Sequence, residues 1–159
     1  NHTVGQIALL ESFVEQPIVA NQLELNLLHS NLITDGLFAN QDGSVTDASV
    51  GLLDFCRLKG ILVQAWSPIA HGRLFSPDSE STESLLSTVQ LMDEMAAQKG
   101  VSRDAIAVSW LLRHPAGIQP LIGTSRPERI SAACGADGSI LSREEWYSLL
   151  QTARGKPLP

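Results

Sequence analysis

Three short apolar runs, at residues 17–25, 61–66 and 119–122, are each separated from the next by a long stretch with helical patterning. That spacing rules out hairpins between them. Consecutive strands joined through a helical crossover lie parallel, because only a long connection can carry the chain back to the edge where it started. The chain therefore reads as α/β, in the order helix, strand, helix, strand, two helices, strand, helix, helix. In such folds ligands collect at the C-terminal ends of the strands. Here those ends carry Gln22 and Glu24, then Trp66 and Ser67, then Gly123 and Thr124.

Helical spacing and end signals define the crossovers. Thr3 is placed to cap a first helix carrying Val4, Ile7, Ala8, Leu10 and Phe13, which Pro17 stops. The first strand, 17–25, starts apolar and ends polar, as a strand that is buried at first and then emerges would do. Residues 26–45 are rich in Asn, Asp and Gly without sustained periodicity and read as a long, partly helical excursion. Residues 47–59 give an amphipathic helix with Val50, Leu53, Phe55 and Leu58 on its apolar side and Leu52 and Cys56 beside them, ended by Gly60. Residues 83–99 follow, with Leu85, Val89, Met92 and Met95 in register and Gly100 as the stop. Ser102 caps a helix over 103–113, and Ser142 with Glu145 forms a capping box for a last helix through Ala153.

Between the third strand and the helix after it, the chain gathers groups that suit an anion. Gly123 permits a close turn, and Ser125 with Glu128, around Pro127, has the capping-box pattern, so the helix is expected to begin at Ser125. The N–H groups at its start and the side chains of Thr124, Ser125, Arg126 and Arg129 would then face an incoming phosphate together. Taken alone, a glycine turn and a capped helix with two solvated arginines occur in many proteins that bind nothing there. The other strand ends add to it. The Gln22 amide can bind another amide and the Trp66 ring can stack on a flat ring, which with a phosphate site describes a dinucleotide bearing a carboxamide.

Composition narrows the alternatives. A net charge of −6 and a pI near 5.1 provide no basic stripe for nucleic acid, and no segment reads as a membrane span or polybasic anchor. A chain of 159 residues, 43% hydrophobic, is long enough to bury a core. Cys56 and Cys134 form neither a disulfide framework nor a metal-ligand spacing, so a reducing cytoplasm is the expected setting and no metal site is assigned. His2, His29, His71 and His114 lack paired carboxylates at a catalytic spacing and read as loop or helix-end residues. A small molecule is the expected partner.

With these motifs in order, the chain resembles the C-terminal part of an aldo-keto reductase, a family of (β/α)8 barrels that use NADPH. Asn1 resembles the asparagine that ends the family's Ser-Asn pair, and Gln22 resembles its strand-end glutamine; the resemblance implies that both hydrogen-bond the nicotinamide carboxamide. Trp66-Ser67-Pro68 is similar to the family's aromatic-Ser-Pro motif, which implies stacking of Trp66 on the nicotinamide and places Ser67 and the following loop, with Ile69 and Arg73, near the pyrophosphate. The segment 122–129 resembles the family's 2′-phosphate segment, with Thr124 at a hydroxyl position, Arg129 at the recurring arginine, and Gly123, Ser125 and Arg126 around them. The closing run 145–159 looks most like a bacterial branch of predicted oxidoreductases.

The resemblance spans the whole chain and implies one partial domain over residues 1–159, about three barrel strands with their helices, incomplete alone. It also implies carbonyl reduction with NADPH, or NADH, by the complete protein acting on a small aldehyde or ketone. The family's catalytic Asp, Tyr, Lys and His belong to strands that precede Asn1, so no catalytic residue is assigned; Tyr147, the single tyrosine, reads as a packing residue. The missing N-terminal half of the barrel, or another chain, is expected as a partner. Gly123 stands where many members carry lysine, and Ala132 and Ala133 where many carry acidic and amide side chains, which weakens the grip on a 2′-phosphate and on adenine. Two other readings remain: a nucleotide-sensing or interaction subunit without catalysis, and a purely structural domain.

Overall fold

The computed structural model describes residues 1–38, 49–79 and 81–159. Three parallel strands, β1 (Ala20–Glu24), β2 (Leu62–Trp66) and β3 (Gln119–Pro120), form one sheet in chain order. Around them run α1 (Val4–Glu11), a short α2 (Asn31–Thr34), α3 (Leu52–Lys59), α4 (Glu83–Lys99), α5 (Arg103–Leu112), α6 (Pro127–Cys134) and α7 (Arg143–Arg154). The expected element order holds, and so does the parallel sheet.

The sheet has two unlike faces. Asn21 and Leu23 of β1 and Val63 and Ala65 of β2 are buried beneath the helices, and this alternation is the two-residue period of a strand with one packed face. On the opposite face Gln22, Gln64 and Gln119 stand side by side in register, with Gln64 Nε2 donating to Gln119 Oε1 at 2.7 Å. The expectation of a first strand that is buried and then emerges is corrected here: exposure alternates along it by face, with Asn21 and Leu23 buried and Gln22 exposed between them. β3 is also shorter than 119–122. Pro120 has no N–H to give the ladder, and after Leu121 donates to the Ala65 carbonyl at 2.8 Å the chain runs as irregular backbone through Gly123 to α6, without the close turn expected at that glycine.

End signals account for most helix boundaries. Thr3 with Gln6, and Ser142 with Glu145, form complete capping boxes, while Thr82 and Ser102 cap α4 and α5. Gly60 and Gly100 end α3 and α4 at φ 69° and 66°, a left-handed backbone that glycine adopts without a Cβ clash. α6 departs from expectation: it starts at Pro127, its N-cap is Arg126, and no side chain caps it, so the Ser125–Glu128 box is absent. The residue before a proline is pushed out of the helical region, and Arg126 accordingly sits extended at φ −80°, ψ 116°.

The described part of the helix expected over 47–59 begins at Leu52 after Gly51, and residues 47 and 48 lie outside the described residues, as does the 39–45 part of the excursion. Its buried side is Leu52, Leu53 and Cys56, while Val50 and Leu58 are exposed. α1 ends at Glu11, short of Phe13, which was expected in it; only Ile7 of the helix is buried, and Leu9, Leu10 and, beyond its end, Phe13 are exposed. The core is held at its far end by a reciprocal pair. Trp110 and Trp146 stack with centroids 5.3 Å apart, and each indole N–H donates to the other residue's carbonyl, at 3.3 and 2.8 Å. Among the described residues no helix is long and apolar enough to cross a membrane.

Candidate functional site

Trp66 ends β2, and the loop after it is folded against its own preferences. Ser67, Ala70 and His71 all adopt positive φ, at 54°, 53° and 55°, a conformation that costs a non-glycine residue free energy and persists only where the surroundings fix it. Two hydrogen bonds fix it here. Ser67 Oγ accepts the His71 N–H at 2.8 Å, and the Ser67 carbonyl accepts from Asn26 Nδ2 at 3.0 Å. Asn26 is buried just past β1 and its Oδ1 also accepts the Leu28 N–H at 3.0 Å. His71 sets the edge of its ring toward Trp66, 5.7 Å between centroids, and its Nε2 lies 3.3 Å from Glu24 Oε1.

Trp66 divides two adjoining clefts. The first, about 450 Å³, runs from Trp66, Ser67 and Ile69 to Gly123, Thr124 and Arg129, with Asp104 of α5 in its wall. The second, about 350 Å³, has Asn1, Glu24, His29 and Trp66 among its lining residues. The Trp66 indole N–H donates to Asn1 Oδ1 at 2.9 Å. The segment before α1 is tied to β1 as well, since Asn21 accepts from the His2 N–H and returns a bond to its carbonyl, at 3.2 and 2.9 Å.

The structure thus brings Trp66, Ser67, Ile69, Gly123, Thr124 and Arg129 to one cleft and Asn1 to the next. Gln22 stands on the open face of the sheet and lines neither; Arg73, Ser125 and Arg126 are exposed outside both. Arg129 is already engaged: its Nη2 lies 2.6 Å from Asp104 Oδ1, and its guanidinium sits 4.7 Å over the Phe75 ring. Asp104 and Asn26 escaped the sequence reading. Asp104 carries only the signal of an acidic residue in a first helical turn, and Asn26 falls in an aperiodic stretch. Tyr147 lies away from the clefts, edge-on to Trp146 at 4.9 Å and under Arg143. Among the described residues no group of three or more His, Cys, Asp or Glu is placed to hold a metal ion.

Three parallel strands with helices on one face and a ligand-sized cleft at their C-terminal ends are a portion of a (β/α)8 barrel. The sequence model of the Aldo/keto reductase family matches residues 1–151, and the chain belongs to that family. It is 33% identical over 159 residues to a 6-dehydroglucose reductase of Novosphingobium aromaticivorans, covering 100% of this chain and 46% of the relative. It is 30% identical to an uncharacterized oxidoreductase of Bacillus subtilis, over 97% of this chain and 46% of that protein. Among solved structures, a thermostable aldo-keto reductase in complex with epalrestat superposes with a TM-score of 0.67 at 22% identity, covering 96% of this chain and 46% of the other. An aldose reductase from Giardia lamblia gives 0.66 at 22% identity, over 100% and 45%. The chain spans about half the length of the curated relatives it matches, 46% for both of those named.

Proposed function

We propose that this chain is the cofactor-holding part of a nicotinamide-dependent oxidoreductase that reduces small aldehydes or ketones to alcohols. The observation that carries the reading is the position of Trp66 at the junction of two clefts, with an amide on one side and Gly123, Thr124 and Arg129 on the other. The donor set fits a dinucleotide. Asn1 Oδ1 is taken by the Trp66 indole, which leaves its amide N–H groups to meet a carboxamide oxygen. Ser67 Oγ accepts from His71 and Thr124 Oγ1 accepts from the Arg126 N–H at 3.2 Å, so both hydroxyl protons remain for phosphate oxygens.

A bound nicotinamide supplies the hydride, and the chemistry of that transfer belongs to the cofactor. This chain's residues orient it: the partly buried Trp66 offers a flat face, and the strained Ser67–Gly72 loop, pinned by Asn26, forms the wall beside it. The proton that completes the alcohol comes from a group outside these 159 residues, on the rest of the barrel in the same chain or in another. Leu9, Leu10 and Phe13 are exposed apolar surface that such a companion would cover. The test is to follow reduced-nicotinamide absorbance while the complete protein meets a panel of aldehydes and ketones. Consumption that depends on the carbonyl compound supports the reading, binding without consumption favours a sensing subunit, and the absence of binding refutes both.

A further inference from the structure

We propose that Asp104 sets cofactor choice: by engaging Arg129 it makes the first cleft favour a free adenosine-ribose diol over a 2′-phosphate. The inference rests on the cofactor reading above and concerns the end of the cleft formed by Thr124, Arg129, Asp104 and Ala133. Expectation from sequence alone gave Arg129 to the 2′-phosphate of NADPH. In the structure that guanidinium is held on two sides, by the Asp104 carboxylate at 2.6 Å and by the Phe75 ring at 4.7 Å. The holder is itself held. Phe75 lies 5.3 Å under Arg103, whose Nη1 donates to the Leu74 carbonyl at 2.9 Å and whose other nitrogens pair with Asp93.

The side chains of Arg129 and Asp104 are only 27% and 14% exposed, so their pairing is poorly screened by solvent, unlike a surface ion pair. Their charges cancel, and the remaining titratable side chain of this cleft, His71, faces Glu24 instead. Gly123 adds no charge where a lysine would, and Arg126 lies outside the cleft. A phosphate brought to Arg129 would carry up to two negative charges toward the Asp104 carboxylate. A ribose diol brings O–H donors to the same carboxylate, which accepts them.

The test measures binding, not turnover. The complete protein and its Asp104→Asn variant are titrated with NADH and NADPH by tryptophan fluorescence, and with 5′-AMP and adenosine 2′,5′-bisphosphate by calorimetry. Wild type is expected to bind NADH at least as tightly as NADPH. Asp104→Asn, which keeps the shape and frees Arg129, moves the ratio toward NADPH by about tenfold, or about 1.4 kcal/mol, and the two adenosine probes shift in the same direction. Arg129→Gln in the wild-type background weakens NADPH by less than about threefold, and this holds the proposal to account if the first variant does not fold.

A wild-type preference for NADPH above about tenfold, an unchanged ratio in Asp104→Asn, or a selective loss of NADPH above about tenfold in Arg129→Gln overturns the inference and leaves the cofactor reading standing. If wild type binds neither dinucleotide, the cofactor reading falls and the inference with it.

Discussion

Replacing Asn26 with alanine tests how the fold holds the site. Asn26 is 1% exposed, donates to the Ser67 carbonyl at 3.0 Å and accepts the Leu28 N–H at 3.0 Å. Alanine removes both bonds, each worth about 1 kcal/mol net, and leaves a backbone donor and acceptor without those partners, at about 1–3 kcal/mol when buried. Because the two losses share one side chain they do not add in full, and the expected cost is about 2–4 kcal/mol. The Ser67 backbone at φ 54° then loses the bond that ties it to β1. Dinucleotide affinity should fall by about fivefold or more, since the loop must be ordered on binding. Asn26→Asp separates the two roles: it keeps the acceptor for Leu28 and turns a carboxylate oxygen toward the Ser67 carbonyl, so it also loses affinity. Urea unfolding and fluorescence titration of the complete protein read both effects. Stability within about 0.5 kcal/mol of wild type in Asn26→Ala, with unchanged affinity, would refute the reasoning.

Two further outcomes follow from the packing of the last helices. Trp146→Phe keeps an aromatic ring against Trp110 but removes the 2.8 Å bond to its carbonyl, at an expected cost of about 1–3 kcal/mol in urea unfolding, against about 3–5 kcal/mol for Trp146→Ala. His114 has its pKa lowered from 6.5 by burial and, secondarily, by the Arg57 charge. The unfolded state therefore binds its proton more readily, so His114 leaves stability intact above about pH 6.5 and lowers it as pH falls below that value. Thermal melts between pH 5 and 8, taken as the range around the ordinary histidine pKa, should show this slope. His114→Asn, which retains an acceptor for the Ala116 N–H, should flatten it.

The parallel sheet was legible because its signals are local and redundant. Gly60, Gly100, Ser102 and the Ser142–Glu145 box mark boundaries that the structure repeats within a residue or two. The start of α6 was misread because two rules compete there: the Ser125–Glu128 spacing asks for a cap, and Pro127 excludes its predecessor from the helix. The proline wins, since its restriction is steric and a cap contributes only about 1 kcal/mol. In α3 the buried side shifted to Leu52, Leu53 and Cys56 because Val50 falls before the helix and Leu58 points away from the sheet.

Of the residues expected at the site, Trp66, Ser67, Gly123, Thr124 and Arg129 line one cleft, as strand ends that converge in a parallel sheet and the helix after them allow. Pairing across the fold was not legible. Asp104 and Arg129 are 25 residues apart, and Asn26 and Ser67 are 41 apart; nothing in local spacing announces either bond. Gln22, expected as a strand-end ligand, stands in the glutamine row on the open face of the sheet. Leu10 likewise keeps its place in the helical period yet is exposed, and Phe13 falls past the end of α1.

The most direct test of the central claim is a crystal structure of the complete protein with a reduced nicotinamide dinucleotide. The expected result is a nicotinamide ring stacked on Trp66 with its carboxamide at Asn1, and phosphates against Ser67, Gly123 and Thr124. A dinucleotide bound elsewhere, with the Trp66 face uncovered, would contradict it.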